Sequence, residues 1–337
     1  RYFGDPYVER LVLAGSTILV GGHFSGIGSD TRGGLAQLDL VTGRATDWNP
    51  DPGHLRDINA IALWNSTVYL AGYFASVGDL PNRYCTAVDL VTGEIAGWNP
   101  QPNHPVFALA VDTRCVYMGG DFTGLVSQWK PRKHLAAFDA TTGVVKDWDP
   151  NPDGVGAQSL LLSHGRVYVG GYFFNIGGQE RWGLAALDTL AGEATDWNPT
   201  ANSVVGTLQV AGDTLYVAGY FTTMGGTPRN HLASFDLVTG AMTNWNPNAS
   251  SDVYDLVVSG DTVFVGGIFR FIGSESRNYI AAVTAGTGAV LDWNPDAQGW
   301  VSTLALAGTT IFAGGLFTTI GGQPRANLAA LDATTGL

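Results

Sequence analysis

Carboxylates, guanidinium groups and imidazoles are the side chains of this chain that could do chemistry, and most recur on a fixed period. Aspartates stand at Asp39, Asp89, Asp139, Asp188, Asp236 and Asp332, each just ahead of a turn such as "LVTG" or "ATTG". Paired carboxylates could run the acid–base hydrolysis of a polysaccharide. Six equivalent acids would be redundant in one enzyme, whereas an aspartate before a tight turn accepts backbone N–H bonds and fixes it. The structural role is the stronger expectation. Arginines recur at Arg32, Arg83, Arg132, Arg181, Arg229, Arg277 and Arg325. They could clamp an anion, but tying loops to carbonyls or neighbouring carboxylates explains their regularity better. Five histidines, His23, His54, His104, His134 and His231, map to one loop face without metal-ligand spacing. No zinc motif, phosphate loop or Gly-x-Ser-x-Gly phrase is present. The sequence therefore nominates no catalytic residue, no metal ligand and no cofactor.

The period belongs to an internal repeat. A phrase ending in Trp-Asn-Pro or Trp-Asp-Pro places Trp48, Trp98, Trp148, Trp197, Trp245 and Trp293 at intervals of 48–50 residues. In step with it, phrases such as "VGGHF", "VAGYF" and "AGGLF" end at Phe24, Phe74, Phe122, Phe173, Phe221, Phe269 and Phe317. Each unit reads as an apolar strand, a tight Gly/Asp turn, a strand ending in paired glycines, and a glycine-rich loop. A strand such as "LAALD", a Thr-Gly turn and a strand ending in tryptophan complete it. Four-stranded units of this length predict an all-β, seven-bladed β-propeller of antiparallel blades. The unbroken repeat makes residues 1–337 one domain, with units ending near the six tryptophans and Leu337. Runs such as Leu160–Leu162 predict strands covered on both faces. The paired glycines predict close backbone approach, and the tryptophans predict wedges between neighbouring blades. Arg1–Phe3 is expected to supply the outer strand that the last unit lacks and to close the ring; the alternative is an excised segment whose next strand follows Leu337.

Strand alternation sends the loops after the Gly-Gly-x-Phe phrase and after Trp-Asn-Pro to one face. These loops are the longest and most variable, so function is expected there. The residue between the glycine and phenylalanine of this phrase differs from unit to unit: His23, Tyr73, Asp121, Tyr172, Tyr220, Ile268 and Leu316. Four tryptophans lie outside the repeat phrase, and Trp129, Trp182 and Trp300 are in or beside these loops. Phenols and indoles give wide contact with little rotamer entropy to lose. The candidate binding residues are accordingly Tyr73, Asp121, Trp129, Tyr172, Trp182 and Tyr220. A polysaccharide hydrolase or lyase is the alternative. It would need Asp121 together with one of Asp51, Asp57, Asp153 or Asp296 in a cleft.

The net charge of −12 and three lysines argue against nucleic acid or an anionic lipid surface as partner. No apolar run is long enough to span a bilayer. Cys85 and Cys115 fall at different repeat positions, too far apart for a disulfide in this topology. The sequons at Asn65 and Asn248 are weak signals.

The phrase "LAAFDATTGVVKDW" at residues 135–148 resembles the repeat of quinoprotein-like propellers, including non-enzymatic scaffold members. The glycine pair followed by an aromatic resembles kelch-like propellers, although Thr42, Thr92 and Thr142 stand where kelch repeats carry tyrosine. The whole unit looks most like repeats of large secreted or surface bacterial proteins. These resemblances imply a propeller and an extracellular, cell-surface or periplasmic location. Catalysis does not follow from them: the chain has no adjacent cysteines of the kind quinoprotein dehydrogenases use. The expected function is a non-enzymatic binding or scaffold module that meets a protein or glycan ligand through the loop face.

Overall fold

The computed structural model describes residues 5–50, 57–77, 82–126 and 130–337. Its described residues form strands and turns, with no helix. Each repeat unit folds into one three-stranded antiparallel sheet whose middle strand is the one ending in the glycine pair. The first sheet comprises Tyr7–Ala14, Thr17–His23 and Leu35–Asp39; the fifth comprises Val205–Ala211, Thr214–Gly219 and Leu232–Asp236. The sixth, Val253–Ser259, Thr262–Gly267 and Ile280–Thr284, repeats the pattern.

The fourth strand expected from the sequence shrinks to a single bridge. After the Thr-Gly turn, Ala45 pairs with Leu38, Val145 with Phe138 and Met242 with Phe235, and no ladder follows. The chain leaves because the tryptophan three residues on reaches for the next sheet. Trp48 donates its indole N–H to the carbonyl of Asp89, and Trp148 to that of Asp188. Arg1–Phe3, the strand expected to close a ring, lies outside the described residues.

The chain divides into two compact units. One is Arg1–Val169 with Phe173–Glu180 and Ala186–Thr195; the other is Gly170–Tyr172, Arg181–Ala185 and Asp196–Leu337. Within each, the apolar core is a series of layers between successive sheets. In the first unit, Leu19, Leu35 and Trp48 pack with Ile58, Leu70 and Phe74, and Tyr69 and Trp98 pack with Met118 and Phe138. In the second, Tyr216 and Trp245 pack with Val253 and Val265, and Phe264 and Trp293 with Val301 and Phe317. The middle strands are buried through their centres, as in Thr262–Gly267. The first strands are buried less than their apolar runs suggested: Leu160–Leu162 are only half-buried.

The glycine pair answers two contacts. A Cβ on Gly266 would stand 2.6 Å from a methyl of Val301 in the next sheet, so the first glycine lets sheets approach. A Cβ on Gly267 would stand 2.2 Å from the carbonyl O of Asp252. There the first strand slips register between Val253 and Asp255, and the bulge pushes backbone against the second glycine.

Candidate functional site

The recurring aspartates, and Arg32, Arg132, Arg229 and Arg277 among the arginines, make structural contacts. Oδ1 of Asp236 accepts N–H bonds from Val238 and Thr239 at 3.1 and 2.7 Å, and Asp39, Asp89, Asp139, Asp188 and Asp332 each accept two in the same way. The Thr239 N–H and hydroxyl hold the Asp236 carboxyl below its ordinary value. The arginines staple the loop hairpin to the segment before the tryptophan. Arg32, Arg132, Arg229 and Arg277 donate from Nη2 to the carbonyls of Thr46, Lys146, Thr243 and Leu291.

The glycine-rich loops hold more order than their composition suggests. Among the described residues, five units fold them into two-stranded hairpins, such as Asn175–Ile176 with Gln179–Glu180 and Phe271–Ile272 with Glu275–Ser276. A side chain from the segment after Trp-Asn-Pro holds the hairpin base by accepting two backbone N–H bonds. Asp153 does so from Phe174 and Asn175, Asn202 from Thr222 and Thr223, and Ser250 from Arg270 and Phe271. Asn and Ser perform the task without charge, so the carboxylate of Asp153 is a hairpin anchor. Asp296 likewise accepts from Asn278 Nδ2, as Asn248 does from Asn230. Among the carboxylates that a hydrolase would recruit, Asp51 lies outside the described residues, and Asp57 accepts from His23 Nδ1 at 2.8 Å.

The candidate binding residues fall in both compact units, and each set is described in its own unit. In the first, Tyr73 is 44% exposed and its ring lies 6.1 Å from Phe107 at 44°. Asp121 is partly buried. Burial pushes its carboxyl up, while His134 and His104 pull it down. Burial also pushes the His134 imidazole down, against its hydrogen bond to the Gly120 carbonyl. In the second unit, Tyr172 and Trp182 are 41% and 40% exposed, and Tyr220, 44% exposed, lies 6.1 Å from Tyr254 at 45°. Trp129 lies outside the described residues.

The sequence did not reveal that imidazoles and carboxylates would meet. His231 Nδ1 stands 3.1 Å from the Gly219 carbonyl and 3.3 Å from Asp252 Oδ1. The signal was available in the repeat: Asp57 and Asp252 each directly precede a first strand, Ile58–Trp64 and Val253–Ser259. Among the described residues no cluster of three or more His, Cys, Asp or Glu could hold a metal ion. Both cysteines are free thiols, Cys85 buried and Cys115 partly so.

Comparison with known proteins agrees on the fold class. Residues 163–189 match a family described as a domain of unknown function (DUF5122) beta-propeller. The computationally designed Ika8 protein is similar in structure, with a TM-score of 0.62 at 15% identity, over 99% of this chain and 86% of that one. The Pan2 WD40 domain of Neurospora crassa is similar at a TM-score of 0.59 and 12% identity, over 91% and 86% of the two chains. No curated protein matches the chain. The all-β repeat and these likenesses define a β-propeller. At such identities they speak for the fold alone.

Proposed function

We propose that the seven sheets are the blades of a seven-bladed propeller and that the molecule is a non-enzymatic binding or scaffold module. In this reading a protein or glycan meets the loops that follow the Gly-Gly-x-Phe and Trp-Asn-Pro phrases, in an extracytoplasmic setting like that of the secreted bacterial proteins its repeats resemble. One observation carries the reading. The residue after the last glycine of the middle strand is held by its backbone, and at three of these positions an exposed tyrosine is presented outward: Tyr73, Tyr172 and Tyr220. Tyr220 N–H, for example, donates to the Val204 carbonyl at 2.9 Å while its ring remains exposed. Exposed aromatics on ordered backbone are binding hardware, because little side-chain or loop entropy remains to be lost.

The carboxylates weigh against the hydrolase alternative. Asp153 and Asp296 are engaged in loop bonds that neutral residues make in other units, and Asp57 is engaged by His23. The test is a glycan array with the purified chain, followed by a reducing-end assay on every glycan retained. Retention without new reducing ends is the expected result; steady release of them would overturn the reading.

A further inference from the structure

The second compact unit gathers four side chains at one place on the loop face, between its sheets Val205–Asp236 and Val253–Thr284. Tyr220 follows Ala218-Gly219 at the end of the middle strand of the former, and Tyr254 lies on the first strand of the latter, with the two rings tilted against each other. Asp252 and Tyr254 flank the fully buried Val253 at the bulge between Val253 and Asp255, and both are only partly buried. His231, at the start of the third strand of the neighbouring sheet, presents Nδ1 to both the Gly219 carbonyl and Asp252. Both partners accept, so Nδ1 carries the proton and Nε2 is left as the acceptor of the neutral ring.

Asp252 is the informative member. Its side chain is only 23% exposed, and among the described residues His231 is its one side-chain partner. A half-buried carboxylate has room for about four hydrogen bonds and is costly to leave short of donors. It sits beside an aromatic platform, so the natural donor is a ligand with an apolar face and hydroxyls at its edge.

We infer that Tyr220, Tyr254, His231 and Asp252 form a subsite for a neutral sugar ring. The C–H face of the pyranose, slightly positive, lies on the negative face of the Tyr220 ring. Adjacent hydroxyls donate to Asp252, and a further one reaches His231. The sugar is neutral because uronates would meet both Asp252 and a chain of net charge −12. The other exposed pair provides an internal control. Tyr73 and Phe107 occupy the same repeat positions as Tyr220 and Tyr254, but Pro105 and Tyr84 stand where Asp252 and His231 would be. That platform has neither a carboxylate at the position of Asp252 nor an imidazole at that of His231, so it lacks the polar half of the proposed site.

This inference rests on the binding role proposed above, and its test separates the two. The full chain is titrated calorimetrically with cellohexaose, maltohexaose and hexagalacturonate. At least one neutral hexasaccharide binds with a Kd below about 1 mM, and hexagalacturonate binds at least about tenfold more weakly. Tyr220→Ala and Asp252→Asn each weaken the neutral sugar by about tenfold or more, and Val238→Ala, in the exposed turn after Asp236, changes it by less than about twofold. Melting curves confirm that each variant folds; should Asp252→Asn fail to fold, Tyr254→Ala takes its place. Absence of neutral-sugar binding overturns the subsite, as does binding undiminished in both Tyr220→Ala and the Asp252 variant. In the latter case a binding role for the face survives. Release of reducing ends during titration would instead strike at the non-enzymatic reading.

Discussion

The indole N–H of Trp245 donates to the carbonyl of Thr284, 39 residues further along, at 2.9 Å. Its ring meets Tyr216 edge-on, with centroids 5.1 Å apart. Tyr216 belongs to the sheet that precedes this tryptophan and Thr284 to the one that follows. One side chain therefore joins two sheets by dispersion on one side and a hydrogen bond on the other.

Trp245→Ala should cost about 3–5 kcal/mol, the usual range for a large aromatic lost from a core. Trp245→Phe should keep much of the apolar contact and forfeit the hydrogen bond, costing about 1 kcal/mol more than packing alone. Chemical denaturation of the three proteins measures both steps. Equal midpoints for wild type and Trp245→Ala would show that the residue does not hold the sheets together.

Gly267→Ala drives a methyl into the Asp252 carbonyl at the bulge, where neither atom is on a flexible side chain. A loss of at least about 1–3 kcal/mol is expected, as for other overpacked sites. Gly286 is the control, because a Cβ there would meet nothing within 4 Å and its φ is not positive. Gly286→Ala should leave the melt unchanged. Comparable melts for the two alanine variants would show that the bulge imposes no such constraint.

Asp236 tests the turn. Hydrogen bonds from Thr239, then Val238, lower its carboxyl in the folded chain. A lowered group stabilises the fold above its unfolded value, about 3.9, and loses that contribution as pH falls through the folded value. Asp236→Ala should therefore melt below wild type at pH 7, with the gap closing as the medium is acidified below about pH 4. A gap that persists undiminished at the acid end would point to lost packing.

Asp121 has the opposite sign. Burial raises its carboxyl, with His134 and His104 opposing. A raised carboxyl favours the fold below its unfolded value and costs stability as pH rises through the folded one. Asp121→Asn should thus gain on wild type between about pH 4 and neutrality and match it in acid. If the variant instead loses stability steadily over that window, the histidine attraction outweighs burial.

The period, the strands, the turn aspartates and the tryptophan wedges were legible because each recurs, and recurrence separates packing from chance. Leu160–Leu162 misled because an apolar run records composition, whereas burial depends on which neighbour covers each face. The outer strand misled for a related reason: "VTGAMTNW" has strand-like residues, but Trp245 is drawn to the next sheet before a ladder can form. The hairpins in the glycine-rich loops were hidden because a side chain from another segment, such as Ser250, supplies their anchoring bonds. The pairing of His231 with Asp252 crosses between sheets, and only superposing the repeat units brings those two columns together.

One position shows what such a repeat permits. Gly34, Tyr84, His134, Gly183, His231, Tyr279 and Asn327 all have φ between 64° and 69°, a region bulky residues seldom enter. In the fifth sheet, for example, His231 N–H donates to the Phe221 carbonyl, and the His231 carbonyl accepts from Gly219. The main chain holds the conformation from both sides, and the His231 imidazole adds a hydrogen bond back to the Gly219 carbonyl. A side chain is not admitted equally at every copy: a Cβ on Gly183 would stand 2.9 Å from the Ser203 carbonyl O. Each unit thus repeats one left-handed backbone position just ahead of its third strand while changing the residue that fills it, so the backbone geometry is common to all seven units and the side chain is local to each.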